Sequence, residues 1–136
     1  MQITRQADYA LRAIIYLARL DDNDRAPTSR IAKEQAIPSS FLAKIVSQLS
    51  IAGIINTSRG ANGGVSLARA AEEISVLDVI QAIDGPIFLN ECTEDAETCP
   101  FKNSCPLREI WCKARKELMK TLSSATFSRA NITAAS

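Results

Sequence analysis

Between residues 54 and 67 two short β-prone runs, Ile54–Thr57 and Val65–Leu67, flank the segment Ser58-Arg59-Gly60-Ala61-Asn62-Gly63-Gly64. A strand, a glycine-rich loop and a second strand make a β-hairpin. Two short strands cannot form a core alone, so the hairpin needs a helical body to lean on.

That body is legible upstream. Ile3, Ala7, Ala10, Leu11, Ile14, Leu17 and Ala18 recur at i, i+3, i+4 spacing. The pattern predicts an amphipathic first helix ending near Leu20. Asp21-Asp22-Asn23-Asp24 is a polar break. Thr28, after Pro27, is expected to N-cap a short second helix reaching about Gln35. Ala36-Ile37 then makes a tight turn. Pro38-Ser39-Ser40 opens a third helix, with Phe41, Leu42, Ile45, Val46 and Leu49 expected on its buried side and Gly53 as its C′ residue. Helix, helix, tight turn, helix, hairpin is the order of a winged helix-turn-helix. The expected fold class is mainly α with a small β-hairpin wing.

Downstream, Ser75 with Asp78 three residues on forms a capping box for a helix to about Asp84, stopped by Gly85-Pro86. Residues 88–105 read as a loop. Pro106 suits the first turn of a long last helix, whose Leu107, Ile110, Trp111, Ala114, Leu118 and Leu122 line one stripe. From Ser123 to Ser136 the chain is small, polar and without period.

With 136 residues, 46% of them hydrophobic, the chain has material for one compact domain. Its net charge of +1 hides a division. Residues 1–65 carry eight Lys/Arg against five acids, and residues 66–136 carry eight against ten. The basic half is the one with the hairpin, a modest nucleic-acid signal. No apolar run is long enough to cross a membrane, and Met1-Gln2-Ile3-Thr4 does not open a signal peptide, so a cytoplasmic protein is expected. Four cysteines there favour metal or redox chemistry over structural disulfides. The chain has no His, which excludes Cys/His zinc sites and His-based catalysis.

A helix fits the DNA major groove, and residues at its N-terminus reach base edges and phosphates. Ser39 and Ser40 stand at that end of the third helix, with Lys44 and Gln48 further along. Arg59, in a glycine-rich hairpin, suits a narrow, electronegative minor groove. Each feature has a plainer reading alone: the serines as caps, Lys44 and Gln48 as a solvated face, Arg59 as an exposed loop residue. Their conjunction with the element order points to double-stranded DNA. The candidate contact set is Thr28, Ser39, Ser40, Phe41, Lys44, Gln48, Ser58, Arg59 and Gly60.

Cys92, Cys99 and Cys105 stand in an acidic stretch, and Cys112 follows on the last helix. Thiolates suit zinc and iron-sulfur clusters. Gaps of six and five residues differ from the short knuckles of a zinc ribbon and wrap a larger object more naturally. Cluster, thiol switch and zinc remain three readings of the spacing. For Cys112, a half-buried structural thiol is the plainer reading.

The opening Ile3-Thr4-Arg5-Gln6-Ala7-Asp8-Tyr9-Ala10-Leu11-Arg12, the wing from Arg59 to Leu67, the segment Ile80-Gln81-Ala82-Ile83-Asp84-Gly85 and the three cysteines together resemble the Rrf-two family of bacterial regulators, over essentially residues 1–125. The resemblance implies a homodimer whose long helix, here 106–124, crosses its partner. It implies an iron-sulfur cluster, 2Fe–2S or 4Fe–4S, on Cys92, Cys99 and Cys105, whose state alters DNA binding. Some members carry a His three residues after the last Cys; Arg108 replaces it here. Others use an acid from the first helix of the other subunit, and Asp8 stands at the matching position, with Cys112 in reserve. Ala43-Lys44 replaces a Glu-Gln pair that reads bases in some members, which leaves the operator sequence open.

The expected organisation is a DNA-binding domain at 1–85, a cysteine-bearing loop at 86–105, a dimerisation helix at 106–125 and a flexible tail at 126–136. The expected function is a sequence-specific repressor sensing iron, cluster supply, redox state or nitric oxide. The alternative is a cluster-free regulator of the same fold, controlled by thiol oxidation or a partner protein. An electron carrier or enzyme is the remaining alternative. With no substrate-site motif and no His, an enzyme acting on a small-molecule substrate is not expected.

Overall fold

The computed structural model describes residues 2–21, 24–90, 100–101 and 104–128, and the backbone of 132–134. Helix α1 (Arg5–Ala18) is capped by Thr4, whose Oγ1 accepts from the Ala7 N–H at 3.1 Å and donates to Asp84 Oδ1 at 2.6 Å. Its buried face is Ala7, Ala10, Ala13, Ile14, Leu17 and Ala18. Four of these six are alanine, so neighbouring elements can approach its backbone closely. The helix ends at Ala18, two residues before the Leu20 expected from periodicity, with Arg19 as its C-cap.

Helix α2 (Thr28–Gln35) buries only Ile31 and Ala32. Thr28 is its first helical residue rather than its cap; that place falls to Pro27, whose φ of −65° suits it. Helix α3 (Ser39–Ile51) buries Leu42, Ile45 and Leu49. Ala36 turns the chain between them in the left-handed region at φ 52°, and Ile37 drops into the core behind it. Gly53, at φ 75°, follows the C-cap Ala52 as expected.

The wing is β1 (Ile55–Ser58) antiparallel to β2 (Gly64–Leu67), with Ser58 opposite Gly64 and Ile55 opposite Leu67. A third segment joins it. Ala26, on the α1–α2 linker, bridges Val65; the two exchange N–H···O bonds of 3.0 and 2.8 Å. Gly64 permits this approach, since a Cβ there would lie 2.7 Å from the Ala26 carbonyl oxygen.

Helix α4 (Val76–Asp84) begins with the expected capping box of Ser75 and Asp78 and ends at Gly85, φ 79°. Helix α5 (Leu107–Ser124) buries none of its residues fully. Its C-terminal half lays Leu118, Met119 and Leu122 on a small cluster of Leu77, Ile80 and Ile87. The main core joins α1, α3, the wing and Phe127.

Within the segment expected as a flexible tail at 126–136, the described residues carry parts of two short strands. Strand β3 (Ala125–Phe127) pairs with β4 (Ile132–Ala134), Thr126 bridges Ser75, and Phe127 is 1% exposed. A single aromatic anchor has no period, so pattern reading passes over it.

Candidate nucleic-acid interface

Helix α3 presents Ser39, Ser40, Ala43, Lys44 and Ser47 to solvent. Its N-cap is Pro38, which makes no side-chain cap. Ser39 and Ser40 are therefore first-turn residues, not caps, and their hydroxyls have no partner among the described residues. Unpaired first-turn amides and two free hydroxyls form a surface suited to a phosphate. Lys44 lies one turn further along the exposed side.

Two members of the expected set sit differently. Phe41, expected on the buried side, is 37% exposed and meets Tyr9 edge-on at 5.8 Å. Gln48 is half-buried, and its Oε1 is out of solvent with no donor among the described residues. An acceptor in that position is destabilising by about 1–3 kcal/mol until a donor reaches it.

Arg59 and Gly60 are exposed on the wing, whose turn is closed by the Gly63 N–H donating to the Gly60 carbonyl at 3.0 Å. Ser58 is half-buried and accepts a 2.5 Å hydrogen bond from the Arg25 guanidinium. Arg25 was absent from the candidate set. In the sequence it is a lone base in a polar linker, and only the Ala26–Val65 bridge brings it to the wing. Thr28 is exposed at the start of α2.

One residue ties this surface to the start of α1. Arg12 lies with its Nε 3.5 Å from an Asp8 carboxylate oxygen and donates to the Gln35 carbonyl at 3.0 Å. Its guanidinium also sits 4.8 Å from the Tyr9 ring centroid. Asp8, Arg12, Tyr9 and Phe41 thus form a contact chain from the exposed first turn of α1 to the first turn of α3, with a branch to the end of α2.

Of the expected metal ligands, Cys92 and Cys99 lie outside the described residues. Cys105 is half-buried with a free thiol, its N–H bonded to the Phe101 carbonyl at 2.9 Å just before the Pro106 cap of α5. Cys112 is also half-buried and free. Asp8 keeps 63% of its side chain exposed. Among the described residues no three acids or cysteines are gathered as a metal site. The entry to the cysteine loop is held down: Arg115 on α5 donates to the Ile87 carbonyl at 2.7 Å and lies 4.7 Å over the Phe88 ring.

A helix-turn-helix with an exposed third helix, followed by a hairpin wing, makes this a winged helix-turn-helix protein. The Rrf2 family, described as iron-dependent transcriptional regulators, matches residues 3–130, and the chain belongs to it. The fold is similar to that of CymR, the global cysteine regulator of B. subtilis, with a TM-score of 0.78 and 28% identity over 93% of this chain and 92% of that one. The oxidized form of Staphylococcus aureus CymR is similar at a TM-score of 0.75, with 28% identity over 96% of this chain and 95% of that one. T. potens IscR shares the fold at a TM-score of 0.72, with 24% identity over 96% of this chain and 85% of that one. Among the described residues no helix is long and apolar enough to cross a membrane.

Proposed function

We propose that the protein is a homodimeric, sequence-specific repressor that lays α3 in the major groove of an operator and Arg59 of the wing in the adjoining minor groove. The observation that carries this is the exposed first turn of α3, with Ser39, Ser40 and Lys44, on the same body as a wing fixed at its base by the Ala26–Val65 bridge. The dimer rests on α5, whose N-terminal half leaves Leu107 49% and Ile110 55% exposed. Selection from a randomised duplex library tests the DNA reading. Enrichment of a two-fold symmetric sequence, weakened by Lys44→Ala and Arg59→Ala, is expected; no enrichment overturns it.

The sensing reading is an iron-sulfur cluster held by Cys92, Cys99 and Cys105, with Asp8 contributed across the dimer. The donor set suits it: three thiols and no imidazole, with Cys105 half-buried, unbridged and fixed at the head of α5. Such a cluster supplies a centre whose charge and ligation respond to iron, oxidants or nitric oxide. What the chain itself supplies is the coupling. Any change in the partner of Asp8 is felt by Arg12, which touches the end of α2 and the Tyr9–Phe41 pair beside α3.

Oxygen-free purification, with visible and EPR spectra beside iron and sulfide assays, tests this. A brown protein with matched iron and sulfide is expected, and Asp8→Ala weakens the cluster or alters its spectrum. An unchanged spectrum removes Asp8 from the site. A colourless, iron-free protein that resists reconstitution favours control by thiol oxidation or a partner, a second reading supported by the likeness to an oxidized form of CymR.

A further inference from the structure

We propose that Arg25, which lies outside the helix-turn-helix, is a DNA phosphate contact that works beside Arg59 at the base of the wing. The inference rests on the DNA-binding reading above and adds a residue to it.

The first ground is placement. Ala26 and Val65 exchange two backbone hydrogen bonds, and the bare Gly64 lets the linker lie against the wing. Arg25 is one residue from that bridge, so its backbone is fixed to the hairpin rather than carried on a free loop. The second ground is direction. Asp24 is its neighbour in the chain, yet the Arg25 guanidinium donates to Ser58 Oγ, one residue before Arg59. The third is capacity. A guanidinium has five N–H donors in a planar fork. Arg25 is exposed, one of its nitrogens is used by Ser58, and no carboxylate pairs with it among the described residues.

An exposed fork held by a wing hydroxyl next to a second arginine matches a phosphate oxygen at the rim of a groove. Phosphate contacts fix a protein's register on the duplex without reading its sequence. A second cation anchored to the backbone of the same wing fixes where the hairpin stands on the duplex.

A phosphate contact is independent of sequence, so the probe is a fluorescein-labelled mixed-sequence duplex of roughly 25 base pairs, long enough for two half-sites. Binding of the full chain is followed by anisotropy across a salt series. Each phosphate contact contributes about 0.9 to the slope of log K against log salt. Arg25→Gln is expected to make the slope shallower by about that amount per bound protomer and to weaken binding roughly three- to tenfold, alike on unrelated duplexes. Arg25→Lys keeps most of the slope. Ser58→Ala keeps the slope and weakens binding less, because the cation remains while its tether is gone.

If Arg25→Gln changes neither slope nor affinity while Arg59→Gln weakens binding, the Arg25 contact is overturned and the wing reading stands. If wild type does not bind the duplex, both fall together. A second measurement needs no variant. Phenylglyoxal modification of the wild-type protein, mapped by mass spectrometry, should slow at Arg25 when duplex is added; an equal rate with and without duplex overturns the proposal.

Discussion

Ala36 occupies the left-handed region at φ 52° between α2 and α3, a conformation disfavoured by about 1–2 kcal/mol for a residue with a Cβ. Glycine removes that strain but gives up about 0.4–1 kcal/mol through its freer unfolded chain. Ala36→Gly should therefore raise stability by roughly 0.5 kcal/mol, read as a higher denaturant midpoint at unchanged m-value. Gly64 presents the opposite case. Its φ is +147°, and an added Cβ would meet the Ala26 carbonyl at 2.7–2.8 Å, where backbone cannot yield easily. Gly64→Ala should destabilise on the order of 2–4 kcal/mol, and hydrogen exchange at Val65 should accelerate as its bridge to Ala26 opens. Protection at Val65 equal to wild type would show that the bridge does not depend on Gly64.

At the scale of elements, a few polar clamps supplement the apolar core that joins the helices. Arg30 Nε donates to the Tyr16 hydroxyl at 2.9 Å, tying α2 to α1. Burial pushes the Tyr16 phenol above its ordinary value, and the Glu34 carboxylate adds to the shift, against an opposing effect of Arg30. The folded state thus holds the phenolic proton more tightly than the unfolded chain. The resulting stability is whole below the unfolded tyrosine value of about 10 and is lost as pH rises through the folded one. Melts above pH 10 should fall less steeply for Tyr16→Phe than for wild type; parallel curves would show that the shift has no weight. Arg115 is the clamp between α5 and the chain entering the cysteine loop. Arg115→Ala removes its bond to Ile87 and its contact with Phe88, a loss of about 1–2 kcal/mol. Proteolysis within residues 86–90 should quicken before global unfolding does, and cleavage only with global unfolding would mean that Ile87 in its apolar cluster holds the segment alone.

For the whole molecule, α5 sets the question of assembly. An 18-residue helix with no fully buried side chain and with Leu107 and Ile110 about half exposed leaves an apolar strip in need of cover. With the proposed dimer, Ile110→Glu should shift the protein from dimer to monomer in sedimentation velocity while its far-ultraviolet circular dichroism holds. A variant that stays dimeric would move the interface elsewhere.

The order of elements from α1 through the wing was legible because period and punctuation are local. A 3.6-residue apolar repeat, a Ser75–Asp78 box and glycines at 53, 60, 63 and 64 act within a few residues of themselves. So was the exposed set of Ser39, Ser40, Lys44 and Arg59, since residue type with place on a helix, or in the glycine-rich loop for Arg59, suffices to nominate them. Tertiary structure alone decided the rest. The bridge that lays Arg25 on the wing joins residues 39 apart in the chain, and Phe127 enters the core without any periodic neighbour. Gln48 and Phe41 exchanged their expected exposures because burial near a helix edge depends on what packs across it. A side chain's type determines what it can bond; only long-range packing determines which partner comes within reach.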